Sequence, residues 1–585
     1  MSTLNTPKDY RPLEGSERRP SATAKKIGPA DPNEVLDVTI VIRRRPDGPN
    51  LPDHNYFLSP ARRQRMSEEE FAAKYGASQE DIDKVVAFAR SHGLTVVETS
   101  AARRMVVVRG TVAQMSAAFA VELARYEHEV QVGRQRRRQT ETYRGRDGVV
   151  SVPSSLDGIV VGVFGLDNRR VGKTNGAEPP NTNPLWVPIV SKLYNYPTNS
   201  AAGQTIGIFS LSGYASSDIS GYFANLNAKF PGAGYTVPTI TDILINGATN
   251  PGSDPYGETT QDIDIASSFA PGCAINVYIT TGDQAGWVQA ISRVAHPNAG
   301  DSAPSVLSSS WYIADGDDPA GLAASFGAPT TAFLKAVSAA FQDAAIQDVT
   351  VCIASGDRGT DSGVGDGQCH VQYPASDPWV LAVGGTTIGN VSGSSFDEYV
   401  WNDPNADPNH SNWGTTGGGV SDLFPLPSYQ SGAGVPVSLN PPHNPGRGVP
   451  DVAGNANIVS GYLGIVLGGQ TAAWPPSGTN PYPGSGTSAA APQWAGLITV
   501  INAALCINVG FVNPAIYALG GKGFRDIVPG AGPGDNANSG APGYPAGPGW
   551  DACTGWGSPN GQALLAALKS FYAKLHLTEL IASIV

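Results

Sequence analysis

A serine among very small residues, in Gly484-Ser-Gly-Thr-Ser-Ala-Ala-Ala-Pro492, is the stretch of this sequence best suited to nucleophilic chemistry. Glycine lets backbone approach a ligand closely, and a serine at the mouth of an alanine-rich helix sits where amide groups point outward and favour negative charge. The same residues also read as a helix cap with its alanines packed on a sheet. Ser488 needs a base before the chemical reading can stand. Beyond residue 184 there are five histidines, His296, His370, His410, His443 and His576, all in Pro-, Asn- or Gly-containing loops or the C-terminal tail, and they are expected at the surface.

Carboxylates are the alternative base. The same region has three glutamates, Glu258, Glu398 and Glu579. Glu258 opens GETTQDIDIASSFAPG four residues before Asp262, so the two carboxyl groups share one helical face, and Asp264 falls on another. Two like charges at that spacing are unfavourable in a bare helix, and their repulsion keeps one proton on the pair in mild acid. Acids that complement the helix dipole are the plainer reading. Asp357, in Ala354-Ser-Gly-Asp-Arg-Gly359, follows the strand-like run VTVCIA, at the carboxyl end where parallel sheets assemble sites. Protonated, it can donate a hydrogen bond to an oxyanion; a turn aspartate is the alternative.

These groups need elements to hold them. Residues 1–34 are polar and proline-containing and read as a flexible tail. From 35 to 166 the order is strand (Val35 to Arg43), helices opening at Ser67 and Ser78, strands at Thr95 to Glu98 and Met105 to Arg109, a helix from Val112 to Phe119 and a strand near Val121 to Tyr126. That order predicts a small α+β, ferredoxin-like unit. Residues 167–184 read as an exposed linker, a preferred place for proteolytic nicking. Beyond it, apolar runs beginning at Ile206, Ile275, Ser305, Val349 and Val380 alternate with helical stretches, which predicts a doubly wound, mainly parallel α/β sheet across 185–585.

Composition excludes several classes. The 585 residues include 70 Gly and 47 Pro, and no apolar run reaches the ~20 residues that span a bilayer. The start lacks the apolar core of a signal peptide. Five scattered cysteines fit neither a disulfide scaffold nor paired zinc ligands; Cys352 and Cys369 are a candidate pair, but buried free thiols are expected. Residues 1–180 carry 28 basic against 23 acidic side chains, and the rest of the chain has a net charge of −17. The two parts should attract, and protonation of carboxylates in acid is expected to loosen them. The run Arg134-Gln-Arg-Arg-Arg138 lacks interleaved aromatics and does not predict nucleic-acid binding.

The motifs together resemble the sedolisins, or serine-carboxyl peptidases, and most closely their kumamolisin branch: GETTQDIDIASSFAPG, SSSWY at Ser308 to Tyr312, ASGDRG, GRGVPDVAGNAN at Gly446 to Asn457, GSGTSAAAP and FRDI followed by AGPGWDACTGWGSPNG. The resemblance implies a subtilisin-like catalytic domain behind an inhibitory prodomain, and an acid-active endopeptidase made as a self-cleaving zymogen. A tripeptidyl exopeptidase and a silent binding protein on the same scaffold are the alternatives. It further implies Ser488 as nucleophile, Glu258 as base and acid, Asp262 as its orienting partner, Asp357 as oxyanion donor and Trp311 as a wall of the substrate cleft. A structural Ca²⁺ is implied on Asp526, Ile527, Gly547, Gly549 and Asp551, two carboxylates and several carbonyls of the hard oxygen kind that ion prefers. Protein or peptide substrates, a monomer and secretion are expected on the same ground. One position departs: where relatives often carry a further glutamate in the first strand, this chain has Ser210.

Overall fold

The computed structural model describes residues 7–21, 23–60, 63–132, 137–174, 184–327, 331–403, 413–471, 483–530 and 532–584. In the N-terminal unit a four-stranded antiparallel sheet runs in the order Thr95–Ser100, Met105–Thr111, Val35–Ile42, Val160–Phe164. Helices Glu68–Tyr75, Gln79–Ser91 and Val112–Phe119 start at side-chain caps, Ser67 with Glu70, Ser78, and Thr111 with Gln114, that satisfy the first free N–H groups. Ile82, Val85, Met115 and Phe119 then close over Val38, Ile40, Val106 and Val108.

Three expectations here need correction. The strand expected near Val121 starts at Ala124 and belongs to a second sheet, Lys25–Pro29, Ala124–Val132 and Arg137–Gly145; Val121 and Leu123 are spent on the first core. Residues 7–34 are not a free tail: Tyr10–Pro12 pairs with Ser151–Pro153, Lys25–Pro29 pairs with Ala124–Val132, and buried Arg18 bonds Asp167 at 3.2 Å. The expected linker is also structured at its start, with Asp167 and Arg169 buried and Lys173–Thr174 paired as a strand against Trp311–Tyr312. Its part from 175 to 183 lies outside the described residues.

The large unit is the predicted α/β sheet. Thr239–Leu244, Ala274–Ile279, Thr205–Ser210, Val306–Ser309, Thr350–Ala354 and Leu381–Ser392 lie side by side in parallel, with Ser395–Val400 antiparallel at one edge and Val452–Asn455 also on Leu381–Ser392. Helices cover both faces, which is why the central strands are buried almost throughout and mostly apolar. The helix Thr487–Leu505 is buried from its first residue through Asn502.

The two units meet through charge and aromatic packing. Arg44 and Arg104 converge on Asp343 at 2.6 and 3.5 Å, and Arg63 reaches Asp348 at 2.5 Å. Phe57 packs on Trp379 and Phe511, and Phe164 on Phe333. The five cysteines are free, and all but Cys506 are buried. Two histidines depart from the surface expectation. His296 is buried at the junction, its ring 4.3 Å from that of Phe71, and His370 is buried between Asp318 and Asp366, at 2.6 and 2.8 Å. Burial opposes charge on His370, yet those two carboxylates push its pKa up to about 9, so it is held as a cation and cannot serve as a base. His443 and His576 are exposed, and His410 lies outside the described residues.

Candidate active site

Ser488 is the second residue of its helix, 3% exposed, and its Oγ has no hydrogen-bond partner among the described residues. The turn before it is tightly constrained. Gly486 has φ +82°, and a Cβ there would lie 2.4 Å from Asp357 Oδ2, so only glycine lets that carboxyl group reach the mouth of the helix. Thr487 donates to Asp357 Oδ1 twice, from its N–H at 2.8 Å and its hydroxyl at 2.7 Å. Pro492, inside the helix, has no N–H to offer the carbonyl of Ser488 four residues earlier. The freed Ser488 carbonyl is taken up by Ser310 Oγ at 3.0 Å.

Glu258 opens the helix Glu258–Phe269, and every residue of that helix is buried. Gly257, at φ +70°, supplies no side-chain cap; Asp254 replaces it, accepting from the N–H groups of Gly257 and Thr260 at 2.9 Å each. Two contacts fix this helix to the serine helix. Gln261 brackets Ser485, accepting from its N–H at 3.0 Å, and Gly496 allows an approach so close that a Cβ would meet Phe269 Cβ at 2.6 Å.

Asp262 faces the same junction, one turn from Glu258 and fully buried. Burial and the Glu258 charge push its pKa well above the usual carboxylate range, a hydrogen bond from Ser310 offsetting part of the rise. Ser310 Oγ lies 2.7 Å from Asp262 Oδ1 as well as 3.0 Å from the Ser488 carbonyl, but a hydroxyl has one proton. The consistent assignment has neutral Asp262 donate to Ser310, which donates to Ser488.

Asp357 sits past the carboxyl end of Thr350–Ala354 and is 1% exposed. Burial pushes its pKa up to about 6, against hydrogen bonds from Thr487 and Trp413. With Oδ1 taken by both Thr487 donors, the proton of the neutral acid belongs on Oδ2. Trp311 is buried edge-on to Tyr256, ring centres 5.6 Å apart, beneath the Lys173–Thr174 strand. Ser210 does not reach Asp262; its hydroxyl pairs with Thr259 at 2.7 Å, and Thr259 pairs with Ser212 at 3.0 Å.

The predicted cation ligands also come together. Gly549 N–H donates to Asp526 Oδ2 at 2.8 Å and Gly547 N–H to Asp551 Oδ2 at 3.1 Å, so two carboxylates address one short loop. Ile527 is buried between them in sequence and packs with Ala546 and Cys553. Among the described residues there is no group of three or more His, Cys, Asp or Glu side chains that would hold a metal without carbonyl help. The donor set present, carboxylate and carbonyl oxygen, suits a hard cation.

Gln261, Asp254, Ser310 and Thr487 join the site with no chemistry-bearing spacing of their own in the sequence. The signal for Ser310 was its place in SSSWY, and for Thr487 its place beside Ser488.

The chain is similar to known proteins along most of its length. Residues 22–169 match the Pro-kumamolisin activation domain family and residues 256–506 the subtilase family. The chain is 38% identical over 581 residues to kumamolisin of Bacillus sp. (strain MN-32), covering 95% of this chain and 96% of that protein. It is 31% identical over 596 residues to tripeptidyl-peptidase sed5 of Aspergillus fumigatus, covering 96% and 98%. Among solved structures, Pseudomonas sedolisin, a serine-carboxyl proteinase complexed with pseudo-iodotyrostatin, matches with a TM-score of 0.52 at 26% identity over 67% of this chain and 100% of that one. With a subtilase-like sheet, a matching activation domain and near full-length similarity to kumamolisin, the chain belongs to the sedolisin family of serine-carboxyl peptidases, as a kumamolisin-like precursor.

Proposed function

We propose that this precursor is an acid-acting endopeptidase in which Ser488 attacks the peptide carbonyl and Glu258 takes its proton. Asp262, neutral and braced by Ser310, leaves Glu258 as the charged member of the pair. As the tetrahedral intermediate forms, Asp357 Oδ2–H donates to the oxyanion; Glu258 then returns its proton to the leaving amine, and water repeats the cycle on the acyl-enzyme. Trp311 lines the cleft beside the glutamate. The observation that carries this reading is Asp357, buried and neutral in mild acid, with Oδ1 accepting from both Thr487 donors.

The test is a pH profile of Ser488-dependent peptide cleavage. Activity should fall as pH rises through about 6, where Asp357 ionises. Its folded pKa lies above the unfolded value of 3.8, so stability fully present below 3.8 is lost as pH rises toward 6. The shift corresponds to about 3 kcal/mol. Asp357→Asn should lower kcat/KM by roughly 10²–10³ and remove the limb near 6. An unchanged limb in that variant would assign the alkaline loss to another group and remove the oxyanion role.

Endopeptidase action is the reading favoured over removal of tripeptides on the higher identity to kumamolisin, 38% against 31% to the tripeptidyl-peptidase sed5.

We also propose one structural Ca²⁺, held by Asp526, Asp551 and the carbonyls of Ile527, Gly547 and Gly549. The support is the convergence of both carboxylates on the Gly547–Gly549 loop. The ion would neutralise these acids and tie a long C-terminal loop to the core. Chelation should lower Tm by several degrees, since a ligand at a hundred times its Kd stabilises by about 3 kcal/mol. Ca²⁺ should restore it and Asp526→Ala should not respond; an equal Tm in chelator and in millimolar Ca²⁺ would end the proposal.

A further inference from the structure

The short strand Lys173–Thr174 carries more information than its length suggests. It pairs antiparallel with Trp311–Tyr312 in the register Lys173 to Tyr312 and Thr174 to Trp311. Ser310, next to Trp311, touches Asp262 and the Ser488 carbonyl, so the cleft strand approaches Ser488 in the order Tyr312, Trp311, Ser310. The inserted chain, read from Lys173 to Thr174, therefore runs toward the serine. Lys173 lies upstream of any bond that Ser488 cuts in this strand, on the acyl side.

The Lys173 side chain has a built receptor. Its Nζ lies 2.5 Å from Asp315 Oδ2 and 5.9 Å from the centre of the Tyr312 ring. Asp315 is held by Ser325 on the helix Pro319–Phe326: its N–H donates to Ser325 Oγ at 2.9 Å, and Ser325 Oγ donates to Oδ2 at 3.0 Å. The neighbouring chain is anchored in turn, Ile313 N–H donating to the Tyr373 carbonyl at 2.7 Å. The Asp315 side chain is 10% exposed. Burial opposes its ionisation, but the charges of Lys173 and Arg358 hold its pKa below the ordinary range. Once the N-terminal segment leaves, Asp315 loses its ion-pair partner and keeps only the unpaired influence of the Arg358 charge, a state that a new cation relieves.

We propose that Asp315, with Tyr312 as wall and Ser325 as brace, forms an unprimed subsite that selects lysine or arginine in the peptide substrate, and that Lys173 is its intramolecular occupant. The proposal rests on the peptidase reading above.

Activated enzyme, prepared by letting the full chain process itself, is assayed on peptides in which one lysine is walked through the unprimed positions, each matched by a glutamine peptide. One position should favour lysine over glutamine about tenfold in kcat/KM, mainly through KM, and Asp315→Asn should bring that ratio to about one. The ratio is internal to each enzyme, so a change in overall rate does not enter it. If the variant does not fold, the synthetic segment Asn168–Thr174 should inhibit the wild-type enzyme about tenfold more tightly than its Lys173→Gln form. No position favouring lysine, a lysine preference untouched by Asp315→Asn, or equal inhibition by the two segments would overturn the subsite while leaving the peptidase intact. Absence of any Ser488-dependent cleavage would overturn both.

Discussion

Precursor carrying Ser488→Ala, held at about pH 4, should remain one 60.7 kDa chain while the wild type releases an N-terminal fragment. The expected loss is large because nucleophile, base and oxyanion donor act as a unit: removing one member of such a set costs on the order of 10⁴–10⁶ in kcat. Glu258→Ala should cost nearly as much, and the double variant little more than either alone. The place of the cut also follows. Asp167 and Arg169 are buried and Lys173–Thr174 is clamped upstream of the serine, so the new amino terminus should lie after Thr174. Mass spectrometry and N-terminal sequencing read both quantities. Equal fragment release from Ser488→Ala with no active enzyme present would sink self-processing, and an amino terminus before Lys173 would contradict the direction of the cleft strand.

How much of this could be read from sequence depended on how local the signal was. Glu258 and Asp262 lie one turn apart on one helix, so their shared face is a matter of period, and the pKa rise of Asp262 follows from the Glu258 charge beside it. Helices that begin at Ser67, Ser78 and Thr111 carry their caps in adjacent residues. Partnerships across the chain left no such trace. Tyr10–Pro12 pairs with a strand some 140 residues later, which no composition of a polar tail reveals. Asp254 caps a helix it precedes by four residues, in the place a cap at Gly257 would take. Ser310 completes two hydrogen-bonding deficits, an acceptor for the Asp262 proton and a donor for the carbonyl that Pro492 leaves without one, and only the fold brings those three residues together. The burial of His296 and His370 was hidden for the same reason: their loops look exposed until Phe71 covers one and two aspartates close on the other.

That burial bears on the proposed release of the enzyme by acid. Loss of carboxylate charge does not explain it by itself, because burial raises the pKa of Asp348 despite its bond to Arg63; its protonation therefore favours the docked state as pH falls. Two histidines at the junction have the opposite sign. His54 of the prodomain packs tilted and edge-on among Trp379, Tyr429 and Phe511, its Nδ1 3.1 Å from Ser428 Oγ, and burial lowers its pKa to about 4, with Asp53 opposing and Arg447 assisting. His296 of the large unit lies under Phe71, and burial lowers its pKa to about 4, opposed by Asp343 and assisted by Arg103, Arg65 and Arg104. A histidine depressed from 6.5 favours docking while neutral and loses that contribution as pH falls from 6.5 through 4. For His296 the full loss corresponds to roughly 10²-fold in prodomain affinity; His54, partly open to solvent, should give less. The variant His54→Phe/His296→Phe keeps aromatic bulk at both places, and the bond from Arg103 to the His296 carbonyl needs no imidazole. At pH 4 its chain should still be cut, yet activity on a small fluorogenic peptide should trail cleavage by tenfold or more, because the severed prodomain stays docked. Activity rising in step with cleavage in this variant from pH 3 to 6 would place the acid trigger elsewhere than on these two rings.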